Sequence, residues 1–376
     1  MISSVEFRAA RKCIDLGIPF ALYSFPSESE YHFCASPLSE PGVADIDAPD
    51  AADGFYYSFF GTDEDLIRID SQMSAEDVLL LNDFEGDKAS ADVHTLKTST
   101  PFIHYLAQVH EVVSNLKRTK GKVVISRLIS EKSVRHPIEV AADYFALHPS
   151  TFRAIFYTLE SGLWLLASPE LLLDYDGDIA KSMVLAGTRE QEASDEWDDK
   201  NTDEHSFVLG YIAEKFCEAG LSPAINDAPD VVFGKVRHLT HIVESCGDVQ
   251  AGALIKSLSP TPALLGYPVD DALHLLSRYE THPRHCYGGC VATKDGDRIR
   301  SYVNLRCALA EKIDSDADNY RYNIYVGGGI TRYSVPADEW KETAAKAASL
   351  YGAILGVDRD CLTEILGDTS LATKQN

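Results

Sequence analysis

The feature that most constrains the fold is a series of long segments with alternating apolar and polar residues, joined by short turns. One such turn, Lys294-Asp295-Gly296-Asp297, separates the strands predicted at 286–293 and 298–308. Short turns join antiparallel neighbours, whereas parallel strands need long crossovers. The predicted helices come in clusters and do not follow each strand, which argues against a doubly wound parallel sheet. The sequence therefore predicts an α+β fold built on mainly antiparallel sheets.

Apolar periodicity and end signals place the other elements. Residues 3–16 form an amphipathic helical pattern that a serine can cap and Gly17 can end. Residues 44–54 are predicted to be an acidic loop, and residues 368–376 to fray. Further helices are expected at 101–118, 203–219, 268–279 and 336–354, and further strands at 19–24, 30–35, 122–127, 152–158, 162–167, 170–175, 181–185 and 319–326.

The composition limits the classes of molecule that the protein is expected to bind. The chain has 376 residues, of which 45% are hydrophobic, and a net charge of −24, so neither nucleic acid nor an anionic membrane is an expected partner. Local basic residues must therefore hold any anionic substrate. The eight cysteines show no framework of paired spacings, and no stretch of 18 apolar residues occurs. The first residues show no basic region followed by an apolar run, so no secretion leader is expected. A cytoplasmic protein is expected.

Chemistry-bearing residues are concentrated near the end of the sequence. Three glycines at 327–329 are interpreted as a turn, and a helix follows that carries Glu339, Glu342 and Lys346. Their spacings of three and four residues place the three side chains on one helix face. Two acids and a base beside exposed backbone N–H groups could bind Mg²⁺ and a carboxylated ligand. The alternative is a solvated, salt-bridged face.

A series of short motifs precedes this helix, and their order is more specific than any one of them. Together with the helix they resemble the chorismate-utilising enzyme family, and within it the isochorismate synthases, over about residues 120–355. Residues 1–95 are the divergent part of the chain. The motifs are Lys122-Val-Val-Ile-Ser126-Arg127, Ala167-Ser168-Pro169-Glu170, Leu185-Ala186-Gly187-Thr188-Arg189, Glu204-His205, Arg237-His238-Leu239, Pro260-Thr261-Pro262-Ala263, Tyr287-Gly288-Gly289, Asn304-Leu305-Arg306 and Glu339-Trp340-Lys341-Glu342-Thr343.

The resemblance implies a fold and an activity. The fold is one domain over residues 1–376, with two large, mainly antiparallel sheets packed face to face, helices outside and a cleft for the active site. The activity is the Mg²⁺-dependent isomerisation of chorismate to isochorismate, by water addition at C2 and loss of the C4 hydroxyl, for menaquinone or siderophore biosynthesis. Chorismate is then the small-molecule partner. No glutamine amidotransferase subunit is expected, and the protein is expected to be a monomer or a weak homodimer.

The reaction needs a base for the attacking water and an acid for the departing hydroxyl. The resemblance makes Lys122 the base, although an isolated lysine in this position is more often a surface residue that begins a strand. It makes Glu170 the acid. Glu170 follows an apolar strand, which would raise the pKa of its carboxyl, and its alternative role is an ordinary turn carboxylate. His238 resembles the histidine near the C4 hydroxyl, with His241 as its rival; either could instead be a core histidine.

The resemblance also assigns the residues that hold the metal and the substrate. Glu204 and Glu342 are the expected Mg²⁺ ligands, and Glu339 is expected to contact a metal-bound water. Asn201 stands where relatives carry an acid, so one water-mediated contact to the metal is expected to be weaker. Each substrate-binding residue has a turn or a surface ion pair as its alternative role: Gly187, Thr188, Tyr287, Arg306, Gly327, Gly329 and Lys346.

Ala263 separates the activities within the family. Many relatives that continue to pyruvate elimination carry Thr there, so Ala263 favours an isochorismate synthase over a salicylate synthase, which is the alternative function. Ala186 replaces the lysine of aminodeoxychorismate synthases, which argues against that activity. A third hypothesis is a catalytically silent binding protein. It has little support, because Lys122, Glu170 and Glu204 are all retained.

Overall fold

The fold was obtained as a computed structural model, which describes residues 2–37, 41–82, 98–119, 121–191, 196–234, 236–313 and 318–357. Its helices are α1 Val5–Leu16, α2 Ala75–Leu80, α3 Phe102–Leu116, α4 Pro137–Leu147, α5 Asp199–Glu218, α6 Ala251–Leu258, α7 Val269–Tyr279 and α8 Pro336–Leu355. Its strands are β1 Phe20–Ser24, β2 His32–Ala35, β3 Gly42–Ala44, β4 Gly54–Tyr57, β5 Leu66–Asp70, β6 Lys122–Ser133, β7 Phe152–Thr158, β8 Gly162–Ser168, β9 Leu171–Tyr175, β10 Ile179–Glu190, β11 Ala224–Asp227, β12 Val231–Phe233, β13 Val236–Cys246, β14 Gly266–Tyr267, β15 Cys290–Asp295, β16 Arg298–Val303, β17 Cys307–Lys312 and β18 Tyr320–Ile330.

The strands form two sheets. The first has eight strands in the order β14-β6-β18-β17-β8-β7-β1-β2. The second has the order β11-β13-β10-β9-β16-β15-β4-β5-β3, with β12 paired to β13. The strand pairs within the described ranges are antiparallel, for example β18 with β6 and β10 with β13. The divergent N-terminal part supplies strands to both sheets, so it belongs to the same architecture as the rest.

Alternation along the strands of the first sheet separates two apolar layers. On β8, Trp164 and Leu166 join a cluster shared with Leu173 and Val291 of the second sheet. Their neighbours on the same strand, such as Leu165, join the cluster that α1, α4 and α8 cover. A third cluster holds α3 and α7 against β6. The two sheets therefore pack face to face with helices outside, as predicted.

Several predicted boundaries were wrong in an informative way. The strand predicted at 298–308 is two strands, because the chain leaves the second sheet after β16 and enters the first sheet as β17. The glycines at 327–329 are not a turn but the last part of β18, paired with β6. The strand predicted at 286–293 begins only at Cys290. Among the described elements, periodicity also missed three helices and seven strands, namely α2, α4, α6, β3, β4, β5, β11, β12, β13 and β14.

Other expectations concern the chain as a whole. The predicted frayed end at 368–376 lies outside the described residues. Among the residues that the structure covers, the cysteines are free thiols, as the absence of paired spacings indicated. None of the described helices is both long and apolar enough to cross a membrane.

Candidate active site

A polar pocket opens where β6, β10 and β18 approach the loop between β16 and β17. Most of the predicted site residues line it, although they come from distant parts of the chain. The predicted residues in the lining are Lys122, Glu170, Gly187, Thr188, Glu204, His238, Ala263, Tyr287, Arg306, Gly327, Gly329 and Lys346. Val124, Leu185, Leu264, Leu305, Tyr325 and Val326 supply apolar wall.

The glycines of β18 make room for an ion pair. Lys122 and Val124 point to the pocket face of β6, and β18 pairs with that strand so that Gly329 lies opposite Val124. Nζ of Lys122 lies 2.8 Å from Oε1 of Glu204. A Cβ on Gly329 would lie 2.1 Å from the same Glu204 oxygen. Glycine is therefore required there for space, since the pair occupies the volume of a side chain.

The pair itself is nearly buried. Lys122 is 1% exposed and Glu204 is 8% exposed. Although the distance is that of an ion pair, the two groups are not aligned as a hydrogen bond. The amine therefore keeps donor capacity for another group in the pocket. The helix predicted at 203–219 would place Glu204 at its start, but α5 begins at Asp199, so Glu204 lies in its second turn.

A bulge in β10 brings backbone into the pocket. The strand was predicted to end in a turn near Gly187, yet it continues to Glu190 and shifts register against β13 between Ala186 and Thr188. Gly187 has φ +80°, and a Cβ there would lie 3.1 Å from the Asn201 carbonyl oxygen. Both the conformation and the space favour glycine.

Arg306 turns the chain between the two sheets. Its φ of +52° is unusual for a bulky residue. The carbonyl oxygen of Arg306 accepts hydrogen bonds from the Tyr144 hydroxyl at 2.9 Å and the Ala167 N–H at 3.3 Å, which hold this conformation. Nη2 of Arg306 donates to Nε2 of His238 at 2.7 Å. His238 is thus the histidine of the pocket.

The same contacts fix the state of His238. Because Arg306 can only donate, Nε2 of His238 accepts, and its proton is on Nδ1, which donates to the Gly187 carbonyl at 3.2 Å. Burial, then the Arg306 and Lys346 charges, hold the pKa of His238 well below its ordinary value. His241 is instead bonded to His205 at 2.8 Å and paired with Asp227 at 3.2 Å.

Glu170 is 2% exposed and lies beside apolar wall. Burial raises the pKa of its carboxyl to about 8, against the opposing effects of Lys122 and the Thr261 hydroxyl. The Thr261 hydroxyl lies 3.4 Å from Oε1, a long hydrogen bond. The carboxyl is therefore protonated at neutral pH and can donate a proton.

Lys346, which lines the pocket, belongs to a network of lysines and carboxylates between α5 and α8. Lys346 donates to Oε1 of Glu342 at 2.7 Å and to the Gly327 carbonyl at 3.0 Å. Lys200 donates to Oε1 of Glu339 at 2.7 Å and lies 3.7 Å from Oε2 of Glu342. Burial would raise the pKa of Glu342, but the Lys346 and Lys200 charges outweigh it and hold that pKa low, near 2. Glu339, Glu342 and Lys346 therefore share one face of α8, as predicted, but this face points into the protein and not to solvent.

A sequence profile for the family described as chorismate binding enzyme matches residues 51–352. The chain belongs to this family. The chain is 27% identical to isochorismate synthase EntC of Escherichia coli strain K12 over 246 residues, which are 61% of each chain. It is 28% identical to isochorismate synthase DhbC of Bacillus subtilis strain 168 over 270 residues, 64% of each chain. The matched part thus spans less than two thirds of these relatives.

The fold of this chorismate binding enzyme is similar to solved structures whose sequences are less than 20% identical to it. The structure of MenF, the menaquinone-specific isochorismate synthase from Escherichia coli, superposes with a TM-score of 0.70 at 18% identity. The superposition covers 89% of this chain and 88% of that one. Component I of anthranilate synthase from Streptococcus pneumoniae superposes with a TM-score of 0.59 at 16% identity. These likenesses show the fold.

The carboxylates of this family member form the place where a divalent cation would fit. Burial lowers the pKa of Lys200, but the charges of Glu342, Glu339 and Glu204 outweigh it and raise that pKa above its ordinary value. Oε2 of Glu339 is buried and has no hydrogen-bond partner. Oxygen donors of this kind suit Mg²⁺. No preformed cluster of three or more His, Cys, Asp or Glu side chains occurs among the described residues, since lysines hold these carboxylates.

Sequence reasoning missed Lys200 as a member of the site. It also missed Leu305 and Tyr325 as pocket wall. Lys200 lies four residues before Glu204 on α5, and that spacing could have indicated a shared helix face. No local signal marks Tyr325, which stacks on Tyr287 with ring centroids 5.4 Å apart and therefore depends on the tertiary fold.

Proposed function

We propose that this protein is an isochorismate synthase, which converts chorismate to isochorismate. The observation that carries the proposal is that Lys122 and a protonated Glu170 face one pocket, which Arg306 and Lys346 also line. The isomerisation requires this combination of a base, an acid and cations for two carboxylates. Named isochorismate synthases are among the relatives at 27% and 28% identity, which supports the same conclusion.

Each of these residues has a separate role in the proposed reaction. In its neutral form Lys122 accepts a proton from the water that bonds to C2, and Glu170 donates a proton to the hydroxyl that leaves C4. One water therefore enters and one leaves, while the ring double bonds shift. The fork of Arg306 and the Tyr287 hydroxyl are placed to hold the enolpyruvyl carboxylate. Neutral His238 accepts from Arg306 and keeps that fork oriented.

Glu204 and Glu342 would hold Mg²⁺, with Glu339 beside them. The ion would neutralise the ring carboxylate of the substrate among these acids. The chain's own part is to keep Glu342 ionised, and Lys346 and Lys200 do this through their contacts with its carboxylate.

The test is product analysis with purified protein, chorismate and added Mg²⁺. Isochorismate is expected with Mg²⁺ present, and chelation is expected to abolish turnover. Glu342→Gln is expected to remove most of the activity, whereas Asp338→Asn, an exposed change on the same helix, is expected to retain it. Stoichiometric pyruvate would instead favour the salicylate synthase alternative. Absence of turnover under these conditions would refute the proposal.

The physiological setting follows from the same proposal. Relatives at similar identity include a vibriobactin-specific isochorismate synthase of Vibrio cholerae, 26% identical over 290 residues, and MenF of Bacillus subtilis strain 168, 29% identical over 209 residues. We propose a role in menaquinone or siderophore biosynthesis, carried out in the cytoplasm by a monomer or weak homodimer that needs no glutamine amidotransferase. The Lys122 position supports the last point, because it activates water and not ammonia.

A further inference from the structure

Asn201 joins the start of α5 to the bulge in β10. It is 6% exposed, and both ends of its amide are used. Oδ1 accepts from the Thr188 N–H at 2.8 Å, and Nδ2 donates to Oδ1 of Asp198 at 2.9 Å. Asp198 caps the helix, since the same oxygen accepts the Asn201 N–H at 2.8 Å. The amide therefore connects a helix cap to a pocket strand.

The connection continues into the pocket. Oγ1 of Thr188 lies 3.1 Å from Nδ1 of His238, and Nε2 of His238 accepts from Arg306 at 2.7 Å. One hydrogen-bonded chain thus runs from Asp198 on the outside to Arg306 in the pocket. Its members come from the start of α5, from β10 and β13, and from Arg306 between the two sheets. These elements are distant in sequence, and the hydrogen bonds hold them together.

An amide is the only side chain of this shape that completes both bonds at position 201. A carboxylate could accept from Thr188, but it cannot donate to Asp198, and it would bring two like charges within about 3 Å. Neither amide group reaches toward the carboxylates of α8, because each already has its partner in β10 or the helix cap.

We infer that Asn201 is a positioning residue whose amide, matched to Asp198, fixes the Thr188 bulge and through it the His238–Arg306 pair. The inference rests on the proposed function in one respect, namely that Arg306 binds a substrate carboxylate. It assigns to Asn201 a role in substrate binding that does not pass through the metal.

The experiment compares Asn201→Asp with the exchange variant Asp198→Asn/Asn201→Asp. Asn201→Asp is expected to raise KM for chorismate roughly tenfold, the scale of a lost hydrogen bond to a charged group, with kcat changed less. Hydrogen exchange at the peptide containing Thr188 should accelerate in the same variant. The exchange variant removes the repulsion between two carboxylates and allows one amide–carboxylate hydrogen bond, but it weakens the cap, because Oδ1 of Asp198 also accepts the Asn201 N–H, so both effects should be partly reversed. Asn226→Asp, the same change at an exposed position, is the matched control.

Three results would overturn the inference. They are an exchange variant as impaired as Asn201→Asp, an Asn201→Asp protein with unchanged KM and hydrogen exchange, or a lowered Mg²⁺ requirement in Asn201→Asp without a change in KM. The last would show that position 201 serves the metal. Hydrogen exchange needs no substrate, so it judges the Asp198–Asn201–Thr188 connection even if the wild-type protein does not turn over chorismate. Failure of the proposed function therefore remains distinguishable.

Discussion

The surroundings on two sides of the pocket shift the pKa of a carboxyl group in opposite directions. On the wall formed by β8, β9 and the Thr261 loop, Glu170 has only a long contact to a hydroxyl, and burial raises the pKa of its carboxyl to about 8. On the wall formed by α5 and α8, Glu342 has ammonium groups at 2.7 Å and 3.7 Å, and its pKa is held near 2. One wall therefore carries a protonated acid, Glu170, and the other an ionised acid, Glu342.

The difference shows that a carboxyl here is ionised only where ammonium contacts outweigh burial. Glu339, beside Glu342, is the intermediate case. It has one ammonium at 2.7 Å, an unpartnered oxygen and Glu342 as a neighbour. Burial and the Glu342 charge raise the pKa of Glu339 to about 7, despite Lys200. A carboxyl is fully ionised in this pocket where ammonium contacts outweigh both burial and neighbouring acids.

The largest loss of turnover is expected when Lys122, the proposed base, is replaced. Lys122→Gln keeps a polar side chain of similar length but removes the base. Turnover should fall by roughly 10²-fold or more in both reaction directions, since the acid and base exchange roles on reversal. Steady-state rates with chorismate and with isochorismate provide the measurement, and circular dichroism checks folding. Near-normal rates in either direction, in a folded variant, would exclude Lys122 as the base.

The protonation state of Glu170 should also affect how the stability of the folded protein depends on pH. Glu170 has a raised pKa in the folded state, so the folded protein binds the proton more tightly than the unfolded chain. This contribution is complete below the ordinary pKa of 4.5 and is lost progressively up to about pH 8. Glu170→Gln removes the dependence.

Thermal unfolding of both proteins between pH 5 and 8.5 measures the effect. The stability of Glu170→Gln relative to wild type should rise with pH, by on the order of a few kcal/mol at the upper end. A difference that stays constant or falls with pH would contradict the neutral state of Glu170. Turnover by Glu170→Gln should be roughly 10²-fold lower at every pH, because the variant has no proton to donate.

The smallest effect is expected from Ala263, which lines the pocket in the Thr261 loop beside Glu170. Ala263→Thr adds a hydroxyl and a methyl group near the predicted position of the enolpyruvyl group. A minor fraction of turnovers should then release pyruvate, which lactate dehydrogenase can report. Wild-type protein provides the baseline. If the variant released no more pyruvate than wild type, Ala263 would not set the product.

Much of the site was predictable because its motifs are short and local. Lys122 begins β6 and Glu170 lies between β8 and β9, where the sequence pattern changes, and Glu204 lies in the second turn of α5. The resemblance placed them in one pocket, and the structure brings them together there. Their catalytic and metal-binding roles remain predictions. The resemblance favoured His238 and left His241 as a rival, and the pairing of β10 with β13 places His238 at the pocket.

The sequence by itself determined the alternating strands, most helices and the presence of paired acids and bases on α8. Periodicity is a local property, so a window of residues contains it. Tertiary structure decided that the glycines at 327–329 are strand, because β6 pairs with them, and that residues 298–308 divide at Arg306 between two sheets. It also decided which carboxyl groups ionise, because that depends on ammonium groups brought from other elements, such as Lys200 against Glu342. A residue type fixes what a side chain can do, and its neighbours in space fix its protonation state.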